Sequence, residues 1–159
     1  LLINEFSAAA ENSFISSTFW TERIGPTAAL ATLKVMEETK SWDIITRKGE
    51  KIQKLWQEVA SENSIKINIS GIPALSVYSF NSKNALKYKT YVTQEMLKKG
   101  FLASTLFYAS VAHKEEHIKL YGQALNEVYR NISKCENEKE DINILLDGPV
   151  CHSGFKRLN

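Results

Sequence analysis

The residues of this chain best suited to holding a ligand lie together near its start. Ser16, Ser17 and Thr18 place three hydroxyls ahead of the aromatic pair Phe19-Trp20, and Thr21, Glu22 and Arg23 then lead into an Ala-rich stretch. Hydroxyl donors and the uncompensated N–H groups of a helix start suit an anion such as a phosphate. The same residues also serve ordinary N-capping and turn chemistry, so local physics leaves both readings open. The aromatic pair reads as packing.

Two further groupings invite chemistry and are better explained by structure. His113 and His117 stand four residues apart, as in half of an HExxH zinc site. The segment nevertheless runs His-Lys-Glu-Glu-His, and no third ligand is evident. It reads as a helix start, where acidic residues favour the dipole, and no metal is expected. Cys151-His152-Ser153 sets a thiol beside an imidazole, but sequence neighbours rarely face each other, so a nucleophile–base pair is not expected there. No catalytic residue is expected in this chain. Phosphate-cradling glycine motifs are also absent: the seven glycines do not cluster.

The elements that must position these residues follow from periodicity. A short helix is expected through Glu11, then extended chain or loop over 12–20. Thr21 is a candidate N-cap for a helix running through Ala28-Ala29-Leu30-Ala31 to about Glu38, with Pro26 tolerated only in the first turn. Ser41 is a candidate cap for a helix over 42–63. Ile45, Ile52, Leu55, Trp56 and Val59 form its apolar stripe, and Arg47, Lys51, Lys54 and Glu58 its wet face. The period then changes to two: 66–70 and 74–80 read as paired strands around a turn at Gly71-Ile72-Pro73. Asn81 or Ser82 begins a helix over about 83–99, with Tyr88, Val92 and Met96 on one face and Gly100 as its C′ residue. A short apolar strand or loop over 101–109 follows. The last long helix, 114–134, carries the stripe Ile118, Tyr121, Leu125, Val128 and Ile132. This order predicts an α+β fold, a two-layer α/β sandwich with helices on one face of a small sheet.

Composition narrows the class. The chain has 159 residues, 43% apolar and 24% charged, which is enough to bury a core in one domain. Its 20 basic and 18 acidic residues are interspersed, unlike the basic footprint of a nucleic-acid binder. No apolar run reaches the roughly 20 residues that span a bilayer, so neither nucleic acid nor membrane is an expected partner. No basic stretch followed by an apolar one opens the chain, so no signal peptide is expected. Cys135 and Cys151 lie far apart outside any CxxC pair and read as reduced thiols of a cytoplasmic protein. The chain opens on Leu1-Leu2-Ile3 without Met, and we expect a piece of a longer protein.

Three stretches, in order, carry a resemblance to a known family. Phe14-Ile15-Ser16-Ser17-Thr18-Phe19-Trp20-Thr21-Glu22 leading to Pro26-Thr27-Ala28-Ala29-Leu30-Ala31 looks like the threonine loop and Ala-rich helix of class III pyridoxal-phosphate-dependent aminotransferases. Gly71 with the strand to Phe80 looks like that family's small-domain glycine and strand. Gly100-Phe101-Leu102 through Ser110-Val111-Ala112-His113 to Ile118 looks like its late strand, loop and last helix. Within the family the chain most resembles the glutamate-1-semialdehyde aminomutase branch, over nearly all residues to about Asn131.

The resemblance implies a specific role. The chain would be the small C-terminal domain of a fold-type I transferase: 1–20 a segment of the large domain with the phosphate-contacting loop, 21–135 the small domain, 136–159 an extension. Its partners would be the large domain of the same polypeptide, a homodimer partner and a small amino substrate. Thr18 would donate to the phosphate of pyridoxal phosphate across the dimer, helped by Ser17, a charge-assisted bond contributing about 1.5–3 kcal/mol. The family's Schiff-base lysine lies upstream, in the large domain, so this fragment alone would be inactive. The family's small turn after the threonine is replaced by Trp20-Thr21-Glu22-Arg23, and Glu22 or Arg23 would meet a different amino substrate unless they serve only as cap and surface charge. The alternative is a free-standing α+β module that binds a small ligand or regulates, and the coding sequence upstream of Leu1 separates the two.

Overall fold

The computed structural model describes residues 23–154. Thr21, the helix expected before Glu11 and the extended stretch 12–20 lie outside the described residues. Helix α1 (Ile24–Thr39) begins late enough that Pro26 falls in its first turn, where a missing N–H costs nothing. The described residues divide into two compact units between Thr39 and Lys40. In α1 no residue is buried.

The second unit runs α2 (Ser41–Glu62), β1 (Ile67–Ile72), β2 (Leu75–Phe80), α3 (Ala85–Lys98), β3 (Leu106–Tyr108), α4 (Glu115–Glu136) and the single turn α5 (Ile142–Leu145). The expected succession of helices and strands is therefore present, and the α+β class holds. Three starts differ from expectation. Lys40, in a left-handed conformation (φ 47°), occupies the N-cap of α2 without a side-chain cap, while Ser41 is buried as its first residue. A buried serine already inside the helix cannot serve as the cap. The hairpin turn is Pro73-Ala74 rather than 71–73, because Gly71 and Ile72 still pair with Ser76 and Leu75. The third helix starts at Ala85, because Ser82 Oγ accepts the Asn84 N–H and holds the preceding residues in a turn.

The sheet has the order β1-β2-β3, all antiparallel. Alternation sends Ser76, Tyr78 and Phe80 of β2 inward, with Ile67 and Ile69 of β1 beside Phe80 and Tyr78 in register. The helices bring their predicted stripes to this face. Ile52, Trp56 and Val59 of α2, Tyr88, Val92 and Met96 of α3, and Ile118, Leu125, Val128 and Ile132 of α4 are all buried. Leu55 and Tyr121 are half-buried against the same core. The wet face of α2 is exposed as expected.

Aromatic rings fill the centre. Tyr78 meets Trp56 edge-on at 4.7 Å, and Phe80 meets Tyr88 at 5.5 Å. Such edge-to-face pairs add to what burial alone contributes. Gly100 closes α3 with φ 83°: its N–H donates to Leu97 O (3.0 Å) and the Phe101 N–H to Met96 O (2.9 Å), a Schellman motif. The tail is tied back to α3 by Gln94, whose amide donates to Leu145 O (2.9 Å) and accepts from the Asp147 N–H (2.8 Å). No helix among the described residues is long and apolar enough to cross a membrane.

Candidate functional site

Of the four residues expected at the ligand loop, Ser17, Thr18 and Glu22 lie outside the described residues. Arg23 is described and exposed, one residue before α1. Its carbonyl accepts from the Thr27 N–H (3.0 Å) and from Thr27 Oγ1 (2.6 Å), so its backbone closes the first turn while its guanidinium stays in solvent. The first turn of α1 contains no acid. The lack of a carboxylate in that first turn and the arginine before it suit an anion, while Glu22 one residue further upstream opposes it by charge.

Helix α1 carries exposed apolar side chains: Ile24 at 81%, and Leu30, Leu33 and Val35. Side chains of this kind at this density are unusual on a free surface.

At the start of α4 the two histidines take part in chain geometry. His113 Nδ1 accepts the Ser110 N–H (3.1 Å), and His117 Nδ1 accepts the Lys114 N–H (3.3 Å). Glu115 and Glu116 occupy the first turn, as expected of a helix start, and Glu115 pairs with Lys51 at 2.6 Å. The His113 ring lies against Phe107, centroids 5.0 Å apart. Burial, and then the charges of Lys48 and His117, hold His113 below the ordinary imidazole pKa. Lys48 donates to the carbonyls of Ser110 (3.3 Å) and Val111 (2.7 Å), pinning the loop that carries His113 to α2. Beneath the two imidazoles a cavity of about 250 Å³ opens between α2, the 101–108 segment and α4, lined mainly by apolar side chains.

Cys151 is held by α3 instead of by its neighbour His152. Its N–H donates to Thr90 Oγ1 (3.0 Å), and its thiol lies 3.8 Å from the Leu86 carbonyl. Cys135 is buried; both cysteines are free thiols. Burial, then Glu140, Asp141 and Glu136, pushes the Cys135 thiol pKa up, which makes it a poor nucleophile.

Sequence reasoning missed two features. One is the cavity, whose walls come from three separate elements. The other is a set of phenols in the core: Tyr121 accepts from Trp56 Nε1 at 2.8 Å, while the hydroxyls of Tyr78 and Tyr129 are buried and have no hydrogen-bond partner among the described residues. The aromatic residues were visible in sequence, but nothing local showed that they would meet.

The architecture first defines a class of fold. The structure is similar to that of the FumI protein of Sphingopyxis sp. MTA144 in its PLP internal aldimine form, with a TM-score of 0.69 and 16% identity, over 90% of this chain and 35% of that one. It is thus an α+β unit of the kind found as a domain in that PLP protein. In sequence the chain is similar to an aminotransferase. It is 26% identical over 130 residues to the 3-aminobutyryl-CoA aminotransferase of Cloacimonas acidaminovorans (strain Evry), covering 79% of this chain and 31% of that protein. The chain therefore spans 31% and 35% of the lengths of the two proteins it matches. No protein-family model matches it.

Proposed function

We propose that this chain forms the small C-terminal domain of a pyridoxal-phosphate-dependent class III aminotransferase or aminomutase, and that amino-group transfer requires the large domain that bears the cofactor lysine. The observation that carries this reading is the agreement of two likenesses, one in fold over 90% of the chain and one in sequence over 79% of it. Both are to proteins much longer than this chain. Within that family we favour the glutamate-1-semialdehyde aminomutase branch, on the resemblance of the Phe14–Glu22 loop with Pro26–Ala31, of Gly71 with the strand to Phe80, and of the Gly100–Ile118 segment.

In this reading Thr18 and Ser17 hold the cofactor phosphate across a homodimer, a few residues ahead of α1 in the chain. Bound pyridoxal phosphate supplies the electron sink for amino-group transfer. Arg23, exposed ahead of α1, is available to meet the carboxylate or another anionic group of a small amino substrate, and Glu22 its amino group. The exposed apolar side chains of α1 suit burial in such an assembly. We place the enzyme in the cytoplasm, in keeping with its free thiols.

The test is a visible absorbance spectrum of the full-length gene product, purified with pyridoxal phosphate, before and after borohydride. A reducible band weakened by Thr18→Val supports both the enzyme and the phosphate role. A folded full-length protein with no such band overturns the cofactor reading and leaves a free-standing binding module as the better account.

A further inference from the structure

The cavity beneath His113 and His117 has a chemical character that the amino-transfer reading does not use. Its floor is apolar, formed by Ile52 of α2, Phe101 and Phe107. Its polar side chains are two imidazoles and the phenols of Tyr108 and Tyr121, the latter already accepting from Trp56, and the backbone sets the imidazole tautomers. Each Nδ1 accepts a main-chain N–H, from Ser110 for His113 and from Lys114 for His117. In a neutral imidazole the other nitrogen then carries the proton. Both rings therefore have an Nε2–H donor left to offer, and neither has an acceptor. Burial, and then Lys48 and His117, lowers the His113 pKa and so favours that neutral form.

Among the described residues no carboxylate lines the cavity to repel an anion. Lys48 stands on the α2 side, donating to the carbonyls of Ser110 and Val111. Glu115 is matched by Lys51. Glu116 and Lys114 complete the charged groups of the adjoining turn. A group that only accepts hydrogen bonds and has two oxygens matches two N–H donors better than a hydroxyl or an amine does. The apolar floor requires that this head group carry a hydrocarbon body, as in most small-molecule sites.

We propose that this cavity binds a small carboxylate with an apolar body, its oxygens received by the Nε2–H groups of His113 and His117 and its hydrocarbon part lying on Ile52, Phe101 and Phe107. The inference does not rest on the aminotransferase reading, because no cofactor takes part in it.

The experiment is a two-dimensional NMR titration of the 159-residue chain with benzoate, following the imidazole signals of His113 and His117 and the Phe107 ring. We expect saturable shifts at all three in the millimolar range. His117→Gln, an exposed change that leaves the core alone, should weaken benzoate about tenfold, the loss of one charge-assisted hydrogen bond. Ala103→Leu, which fills the cavity, should abolish the shifts at His113 and Phe107. Benzamide, with the same ring and no charge, should bind at least tenfold more weakly. Absence of saturable shifts in the unmodified chain overturns the proposal. So does benzamide binding as well as benzoate, or benzoate binding His117→Gln unchanged. An absent cofactor band in the full-length protein would leave this result untouched, so the two readings fail separately.

Discussion

At Gly49 a single missing methyl group sets how closely a helix can approach a turn. The residue is buried in the middle of α2, and a Cβ there would stand 1.8 Å from the carbonyl oxygen of Pro73. Alanine is worth about 1 kcal/mol more than glycine in a helix interior. Here the obstacle is backbone, so α2 or the hairpin must move, and overpacking of this kind costs about 1–3 kcal/mol or more. Gly49→Ala should therefore lower the urea midpoint despite its propensity gain. Gly122→Ala should be milder, because its Cβ would meet only the Cδ1 end of Leu55, at 2.6 Å, which can rotate away. The buried phenols give a second expectation at this scale. Burial raises the pKa of Tyr121 to about 12, partly offset by the Trp56 hydrogen bond. Burial, and then Glu136, raises Tyr88 to about 12. Burial raises Tyr78 well above the ordinary 10.0, and its neighbours Tyr129 and Tyr121 push it the same way. The unfolded chain loses these protons near pH 10 while the folded chain keeps them. Their contribution to stability is thus fully present below about pH 10 and is lost as pH rises from there towards about 12. Phenolate absorbance and circular dichroism followed together should show the buried tyrosines ionising in step with unfolding. Ionisation of all of them in a still-folded protein would contradict this.

Among the elements, α3 shows how a stop signal works. Gly100 adopts φ 83°, and a Cβ there would meet nothing within 4 Å. Gly100→Ala therefore isolates the cost of the left-handed conformation, about 1–2 kcal/mol, with no steric clash to confuse it. Denaturation of that variant should give a loss in this range with an unchanged m-value. This signal was legible in the sequence, since a glycine following Lys98-Lys99 at the end of an apolar period has few other uses. The stripes of α2 and α4 were legible for the same reason: period alone identifies the buried face. What could not be read locally was decided by partners distant in sequence. Ser41 looked like a cap, yet Lys40 takes that place and Ser41 is buried. Gly71 looked like part of the turn, yet its pairing with Ser76 keeps it in the strand. His113 and His117 were legible as a helix start but not as the rim of a cavity, because Phe107 and Ile52 reach it from other elements. The candidate loop was legible only through resemblance, since three hydroxyls ahead of a helix serve capping as well as they serve a phosphate.

For the molecule as a whole, the decisive fact is where the buried side chains are. The hydrophobic core extends from Ile52 to Ile142, and the partly buried residues packed on it run from Leu55 to Leu146. Helix α1 contributes none of them. The unit that begins at Lys40 therefore contains its own core: a three-stranded sheet, three long helices and a tail pinned by Gln94 and by the Lys98–Asp147 ion pair at 2.7 Å. A chain reduced to 40–159 should keep a single cooperative unfolding transition, with a midpoint within a few degrees of that of the 159-residue chain, because the unit that begins at Lys40 holds the described core. It should also associate less, because it loses the exposed Ile24, Leu30, Leu33 and Val35. Calorimetry checks the first outcome and size-exclusion chromatography with light scattering the second. If the shortened chain instead unfolded without cooperativity, residues before Lys40 would have to be supplying core contacts, and the self-sufficiency of the α+β unit would fail.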